Sequence, residues 1–426
     1  MRVRAPGFVR RSPYWPVLRH PLLRRVLPGI GVSSLGGGMS PVAIGWLALT
    51  IAPHSSRGTW VALAVAANLL PGAVGAIALG RWLNGRSGPQ LAGWDALLRA
   101  VVFLVIAVLG ITGTLNIGLY VALIAISAVL QAWGKAGRYT MLSELLPKEQ
   151  HLAGNSLVNV MLELSTIFGP LLAALIIARS GPAWVFVAVA GTYGLLAATY
   201  GFAVPPEARR AVVRGGASRS AGLRAIAGDR ALIGLLLLTF GFFAMYGPAT
   251  VAIPLYVVNE LDASAATLAG FYTAFGIGAV VGAFVSGHLQ RWPLLGTTIG
   301  VVLCFGLALL PLGIGVPTVV AWTAFGLCGA IWGPFPTTTT TLFQRSTPAD
   351  ILPQVLAART ALTGLAVPLG ATLGAPMVAV LGARGTLLTS SLALIALGVV
   401  AAACVLLSRA RPAETDQEEL VMEGKR

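Results

Sequence analysis

Three polar side chains, Asn155, Asn159 and Glu163, recur at i, i+4 and i+8 in an otherwise apolar stretch. That spacing sets all three on one face of a helix. Glu163 falls about 11 residues into the helix, roughly 16 Å at 1.5 Å per residue. In a bilayer-spanning helix this is close to the midplane of a ~30 Å hydrocarbon core. A carboxyl at such depth is expensive, and it marks a pathway, a proton relay or a ligand site. Glu163 is therefore the candidate for proton or cation coupling. The bland alternative is a carboxyl that hydrogen-bonds a neighbouring helix and does nothing further.

Other side chains qualify by type and spacing. Asp95 and Arg99 stand at i, i+4, a favourable pairing geometry. Arg99 and Arg359 lie about 9–12 Å inside apolar runs. They either snorkel to the membrane surface or, with Arg138 and acids such as Asp95 or Asp350, form charge pairs of a conformational gate. Polar and aromatic residues near mid-span are candidates for a cavity lining: Gln131, Trp133, Asn155, Asn159, Phe243, Met245, Tyr246, Tyr272, Trp332 and Phe335. Such a lining suits large apolar or cationic ligands. The Thr337–Thr341 run offers hydroxyls to a pore or to its own helix backbone. Enzyme signatures are absent: there is no GxxxxGK[ST], no HExxH and no metal-spaced Cys/His cluster. His20, His54, His151 and His288 are scattered, and Cys304, Cys328 and Cys404 all fall inside apolar runs. Neither a cofactor nor a metal is expected.

The elements that position these residues follow from composition. Of 426 residues 56% are apolar and only 10% charged, and mean hydropathy is +0.83. A soluble domain carries about 25% charged residues, so this is a polytopic membrane protein. Repeated apolar runs of about 20 residues mean helices, because open sheets cannot sit in lipid. Twelve runs fall near 24–51, 58–83, 91–113, 116–137, 152–178, 182–204, 231–257, 264–289, 294–314, 317–341, 351–381 and 385–408. With the N-terminus inside, 24 of the 29 Lys and Arg fall on the inner side, three on the outer side, and two within spans. That asymmetry predicts both termini in the cytoplasm. The net charge of +15 is thus a topology signal facing membrane lipid, and no nucleic-acid-binding module is present. The first apolar run is too long for a signal peptide. The expected organisation is a basic N-terminus (1–23), a six-helix bundle (24–204), a cytoplasmic linker (205–230), a second six-helix bundle (231–408) and a mostly acidic, disordered tail (409–426).

The halves echo each other. Gly75-Ala76 and Gly80 in span two match Gly282-Ala283 and Gly287 in span eight. Trp133 and Trp332 each precede a loop proline, Pro147 and Pro348, and Pro170 and Pro368 interrupt spans five and eleven. Repeated halves about a central site are a transporter architecture.

The stretch from Glu144 to Ala174, with its Gly154-Asn155 and Gly169-Pro170 pairs, resembles the major facilitator superfamily, in its bacterial drug-efflux and siderophore-exporter branch. So does WGPFPTTTTTLFQRSTPADILPQV, with Gly333-Pro334, Gln344, Pro348 and Asp350. Small residues at Ser156, Ser165, Gly169, Pro170 and Ala173 occupy that branch's antiporter motif, which implies a tight, kinked helix that blocks leakage. The loop motif between spans two and three departs from the pattern: Asn84 stands where the family has Asp, and Asp95 with Arg99 is the pair that could replace part of that latch. Leu35-Gly36-Gly37-Gly38-Met39 lacks the acid that relatives often carry in span one. The resemblance implies two pseudo-symmetric six-helix bundles in a bacterial inner membrane, acting as a monomer. It implies export of an amphipathic small molecule such as an antibiotic or siderophore, exchanged for protons. The alternative is an importer or facilitator of a metabolite.

Overall fold

The computed structural model describes residues 12–53, 57–83, 85–205, 221–262 and 265–423. Residues 1–11 of the basic N-terminus, His54, Asn84, residues 206–220 of the linker and residues 424–426 lie outside them. The described residues contain helices and no strand. Ten helices are long and apolar enough to cross a membrane. Two shorter apolar ones, Leu63–Ala78 and Gly270–Ser286, belong to spans two and eight.

In chain order the spans are Leu23–Ile51; Arg57–Ala78; Gly88–Ile111; Ile117–Ala128 continued by Gln131–Leu145; His151–Ser180; and Pro182–Ala198, which ends in a π turn, Thr199–Ala203. The second half follows: Arg230–Leu255; Ala265–Ser286; Leu294–Ile314; Thr318–Trp332 continued by Pro334–Ser346; and a last helical stretch, Leu352–Glu423, broken at Gly382 into spans eleven and twelve. That last helix runs through the acidic segment expected to be disordered. Ala, Glu, Gln, Leu and Met dominate there, and extending an existing helix avoids the nucleation penalty. Part of the polar linker is also helical. Ala221–Gly228 buries Gly222 and Ile226 beneath the start of span eleven.

The echo in sequence is an echo in backbone geometry. Spans three and four turn at Gly113 (φ 71°), spans nine and ten at Gly315 (φ 79°). Spans five and six turn at Gly181 (φ 90°), spans eleven and twelve at Gly382 (φ 71°). These left-handed conformations suit glycine, which has no Cβ to clash. Spans four and ten both break in mid-course, at Val129–Leu130 and at Gly333. Pro334 has no N–H to return to the Ala330 carbonyl, and that carbonyl lies against Gly282 of span eight. The Val129 carbonyl lies against Gly75 of span two in the same way. At both sites a Cβ would run into backbone oxygen.

Buried apolar side chains form one cluster within each half and a third that joins the halves. The third packs Ala76, Trp133 and Ala136 against Phe343, Val355 and Ala358. Within the halves, spans one and five touch backbone to backbone at Gly38 and Gly169, and spans seven and eleven at Gly247 and Gly370. Small residues permit this approach, and in lipid close packing is a main source of helix association.

Candidate functional site

The polar stripe of span five meets span ten, in the other half. Asn155 donates from Nδ2 to Thr341 Oγ1 (2.8 Å) and Gln344 Oε1 (2.6 Å). Asn159 donates from Nδ2 to the Gly333 carbonyl at the break (2.9 Å). Glu163, half-buried, accepts from Trp332 Nε1 at 3.3 Å. The three residues therefore climb one seam, from the basic end of the bundle to mid-depth.

Further bonds close that end. Gln344 Nε2 donates to the Tyr139 carbonyl of span four (2.7 Å), and Arg345 Nη2 to the Lys148 carbonyl (3.0 Å). Ser156 Oγ donates to the Ala283 carbonyl of span eight. Tyr14, ahead of the first span, lies over this last contact. It is only 5% exposed. Its hydroxyl meets Ser156 Oγ (2.9 Å) and the Phe284 carbonyl, and its ring stacks on Phe284 at 5.1 Å. Gly287 gives it room, since a Cβ there would collide with the ring. Burial raises the Tyr14 phenol above its ordinary pKa, so it stays a neutral donor at physiological pH.

The charged residues divide differently from their sequence grouping. Asp95 and Arg99 form a buried ion pair, Nε to Oδ1 3.0 Å, with Arg99 also over the Tyr193 ring. Gly134 abuts the Asp95 side chain. Arg359 pairs with no carboxylate among the described residues. Its guanidinium donates to Thr340 Oγ1 and Thr339 Oγ1, both at 2.9 Å, and lies over Phe343. In the same run Thr338 and Thr341 bond their own helix backbone, at the Phe335 and Thr337 carbonyls. Arg138 sits in the same interior, close enough to Tyr139 to act on it electrostatically, as Glu163 and Arg359 also are.

Lys135 falls near the end of the apolar run 116–137, but the helix of span four continues to Leu145 and leaves it well inside that span. Asp95, Arg99 and Arg138 lie within electrostatic range of its side chain, which is exposed. A continued helical pattern past residue 137, up to Pro147, was the available signal.

An aromatic wall faces Glu163. Trp332 stacks on Phe242 (5.6 Å) and Phe335 (5.8 Å) and meets Phe243 edge-on (5.4 Å). Tyr246 stands edge-on to Phe305, and Met245 packs against the same core. Of the remaining lining candidates, Gln131 is half-buried beside Gly72, and Tyr272 is exposed, edge-on to Phe325. Trp133 is buried between span two and the other half, its indole donating to the Gly75 carbonyl (3.1 Å). Trp133 and Trp332 thus echo in sequence but point to different partners. Among the motif residues of span five, Ser165, Gly169 and Ala173 are buried; Ser165 and Gly169 lie against Gly38 of span one, and Pro170 follows the contact. Ser156 bonds across to span eight.

Twelve membrane helices in two echoing halves, with a polar seam between them, define a two-bundle membrane transporter. The profile of the Major Facilitator Superfamily matches residues 26–371, and the chain belongs to that superfamily. Solved structures share the fold. The human organic anion transporter MFSD10 (TETRAN) is 16% identical at a TM-score of 0.69, over 89% of this chain and 99% of that one. A bacterial homologue of the iron transporter ferroportin, in an outward-facing state, is 16% identical at 0.69, over 89% and 98%. The E. coli fucose:proton symporter FucP is 14% identical at 0.70, over 92% and 98%. At these identities the likeness is one of fold. No curated protein sequence matches the chain.

Proposed function

We propose that the protein is a secondary active exporter of an amphipathic small molecule, of the antibiotic, drug or siderophore kind, working by alternating access against an inward flow of protons. The observation that carries this reading is Glu163: a carboxyl at mid-depth on the seam, held by Trp332 of the opposite half. A carboxyl so placed changes its surroundings whenever the halves part, which is what coupling requires. With the basic end taken as cytoplasmic by the distribution of Lys and Arg, the contacts of Asn155, Asn159, Ser156 and Tyr14 form a shut inner gate. Glu163 then loads a proton from the outer side. Parting of the seam at the inner end breaks those contacts, delivers the proton inward and opens the cavity to substrate from the cytoplasm. The small residues of span five keep spans one and five packed and limit leakage.

The test uses inside-out bacterial membrane vesicles carrying the full chain, energised to an acid interior. A panel of antibiotics and iron chelators is added while the pH gradient is read with a fluorescent amine. Collapse by particular compounds in wild type, and its loss in Glu163→Gln, is the expected result. Collapse that persists unchanged in Glu163→Gln removes Glu163 from the coupling role. Uptake of a labelled metabolite without any pH gradient would instead establish the importer reading.

A further inference from the structure

The interior charge is unbalanced. Arg99 and Asp95 satisfy each other at 3.0 Å. Arg359 is held by two threonine hydroxyls that bring no negative charge. Glu163 is engaged by a neutral indole. Lys135 has neither a hydrogen bond nor an ion pair with any described residue, and its side chain is exposed. Arg138 brings a further cation one turn away, with its Nε buried and unpartnered. Cations in this interior therefore outnumber carboxylates, and the one carboxylate near Lys135 is already taken by Arg99.

Helix rise puts Lys135 at the depth of Glu163 and Trp332. It lies ten residues before the helix end at Leu145, and Glu163 twelve residues after the helix start at His151. At 1.5 Å per residue these are about 15 and about 18 Å from the basic end. Trp332, fourteen residues before Ser346, is about 21 Å from it. Ammonium, carboxyl and indole thus occupy one layer, above the Asn155–Thr341–Gln344 contacts that shut the seam. Tyr139 links the two sides of this layer, one helical turn below Lys135 and within electrostatic range of Glu163 and Arg359.

We propose that Lys135 is an anion-binding group and that the transported molecule is an amphipathic organic anion. Its acidic group sits on the Lys135 ammonium, and its apolar body lies against Trp332 and Phe243. The proposal rests on the reading of this chain as a carrier of amphipathic molecules. It reverses the expectation from the aromatic residues alone, which favoured apolar or cationic ligands. A cation entering here meets Lys135, Arg138 and Arg359, and its one counter-charge, Glu163, disappears whenever a proton is loaded. Like charges brought together in a desolvated site are strongly disfavoured, whereas an anion neutralises an ammonium that has no other partner.

The test compares three probes of one shape on the purified full chain: a naphthyl sulfonate, a naphthyl ammonium and a naphthyl alcohol, titrated by calorimetry. The sulfonate is expected to bind about tenfold or more tightly than the ammonium, the effect of one charge-assisted contact. Lys135→Arg should keep that order, Lys135→Gln should erase it, and Lys135→Glu should invert it. Because Lys135→Glu could fail to fold, thermal unfolding is recorded for each variant, and Lys135→Gln alone suffices for the decision. Equal or tighter binding of the ammonium by wild type, or an unchanged order in a folded Lys135→Gln, overturns the anion assignment. Binding of none of the three probes overturns instead the amphipathic-carrier reading beneath it.

Discussion

Glu163 and Trp332 belong to different halves of the chain and meet at 3.3 Å, carboxyl oxygen to indole nitrogen. They are the uppermost rung of a ladder whose lower rungs are Asn159 with Gly333 and Asn155 with Thr341 and Gln344. Trp332→Phe should keep the stacking on Phe242 and Phe335 while removing the donor. Loss of one hydrogen bond to a potentially charged group should weaken the closed seam by about 1.5–3 kcal/mol. The readout is spin-label distance between span five and span ten at the basic end, where the open population should grow. An unchanged distribution would mean that the rung carries no weight.

Tyr14 makes a second prediction. Tyr14→Phe removes the hydroxyl contacts with Ser156 and Phe284 but keeps the stacked ring. About 1 kcal/mol per lost bond is expected. Tyr14→Ala should open the seam further, since ring packing goes as well. Both are read as faster labelling of a cysteine placed at the inner end of span eight, with Cys304, Cys328 and Cys404 replaced beforehand.

The buried Asp95–Arg99 pair is a third case. Asp95→Asn strands a guanidinium in the interior, and about 3–5 kcal/mol of stability should go. The double variant Asp95→Asn/Arg99→Gln should recover a good part of that, because no charge is left unpaired. Thermal midpoints in detergent measure both; a double variant no better than the single would deny the pairing its role.

Gly75→Ala and Gly282→Ala form a matched fourth prediction. Each new methyl meets a backbone carbonyl, of Val129 or of Ala330. Overpacking of this kind costs about 1–3 kcal/mol, and similar losses are expected in the two halves. A loss at only one site would show that the helix breaks are not equivalent.

Hydropathy located the spans, and the glycine echoes anticipated the backbone contacts of spans two and eight, because both signals are local. The shared face of Asn155, Asn159 and Glu163 was legible for the same reason: helical spacing needs no knowledge of neighbours. Their partners were not legible, since nothing in a stripe says which helix it will meet 169 to 189 residues away along the chain. Lys135 stands two residues before the end of the apolar run 116–137, so its depth was concealed until the helix was seen to continue to Leu145. Tyr14 was hidden by its position, in a basic segment with no periodicity. The break of span four carries no proline, so apolar residues on both sides concealed it.

Between Arg345 at the basic end and Glu163 at the top, the contacts that shut the seam are made by amides, hydroxyls and carbonyls: Asn155, Asn159, Ser156, Gln344 and Tyr14. Opening and closing these groups moves no formal charge through the membrane field. A transmembrane potential acts on charge at about 2.3 kcal/mol per elementary charge per 100 mV, so it has no grip on this door. In the proposed cycle voltage sensitivity would come from the proton assigned to Glu163 and the anion assigned to Lys135, and a current recorded during turnover would report the cargo rather than the gate.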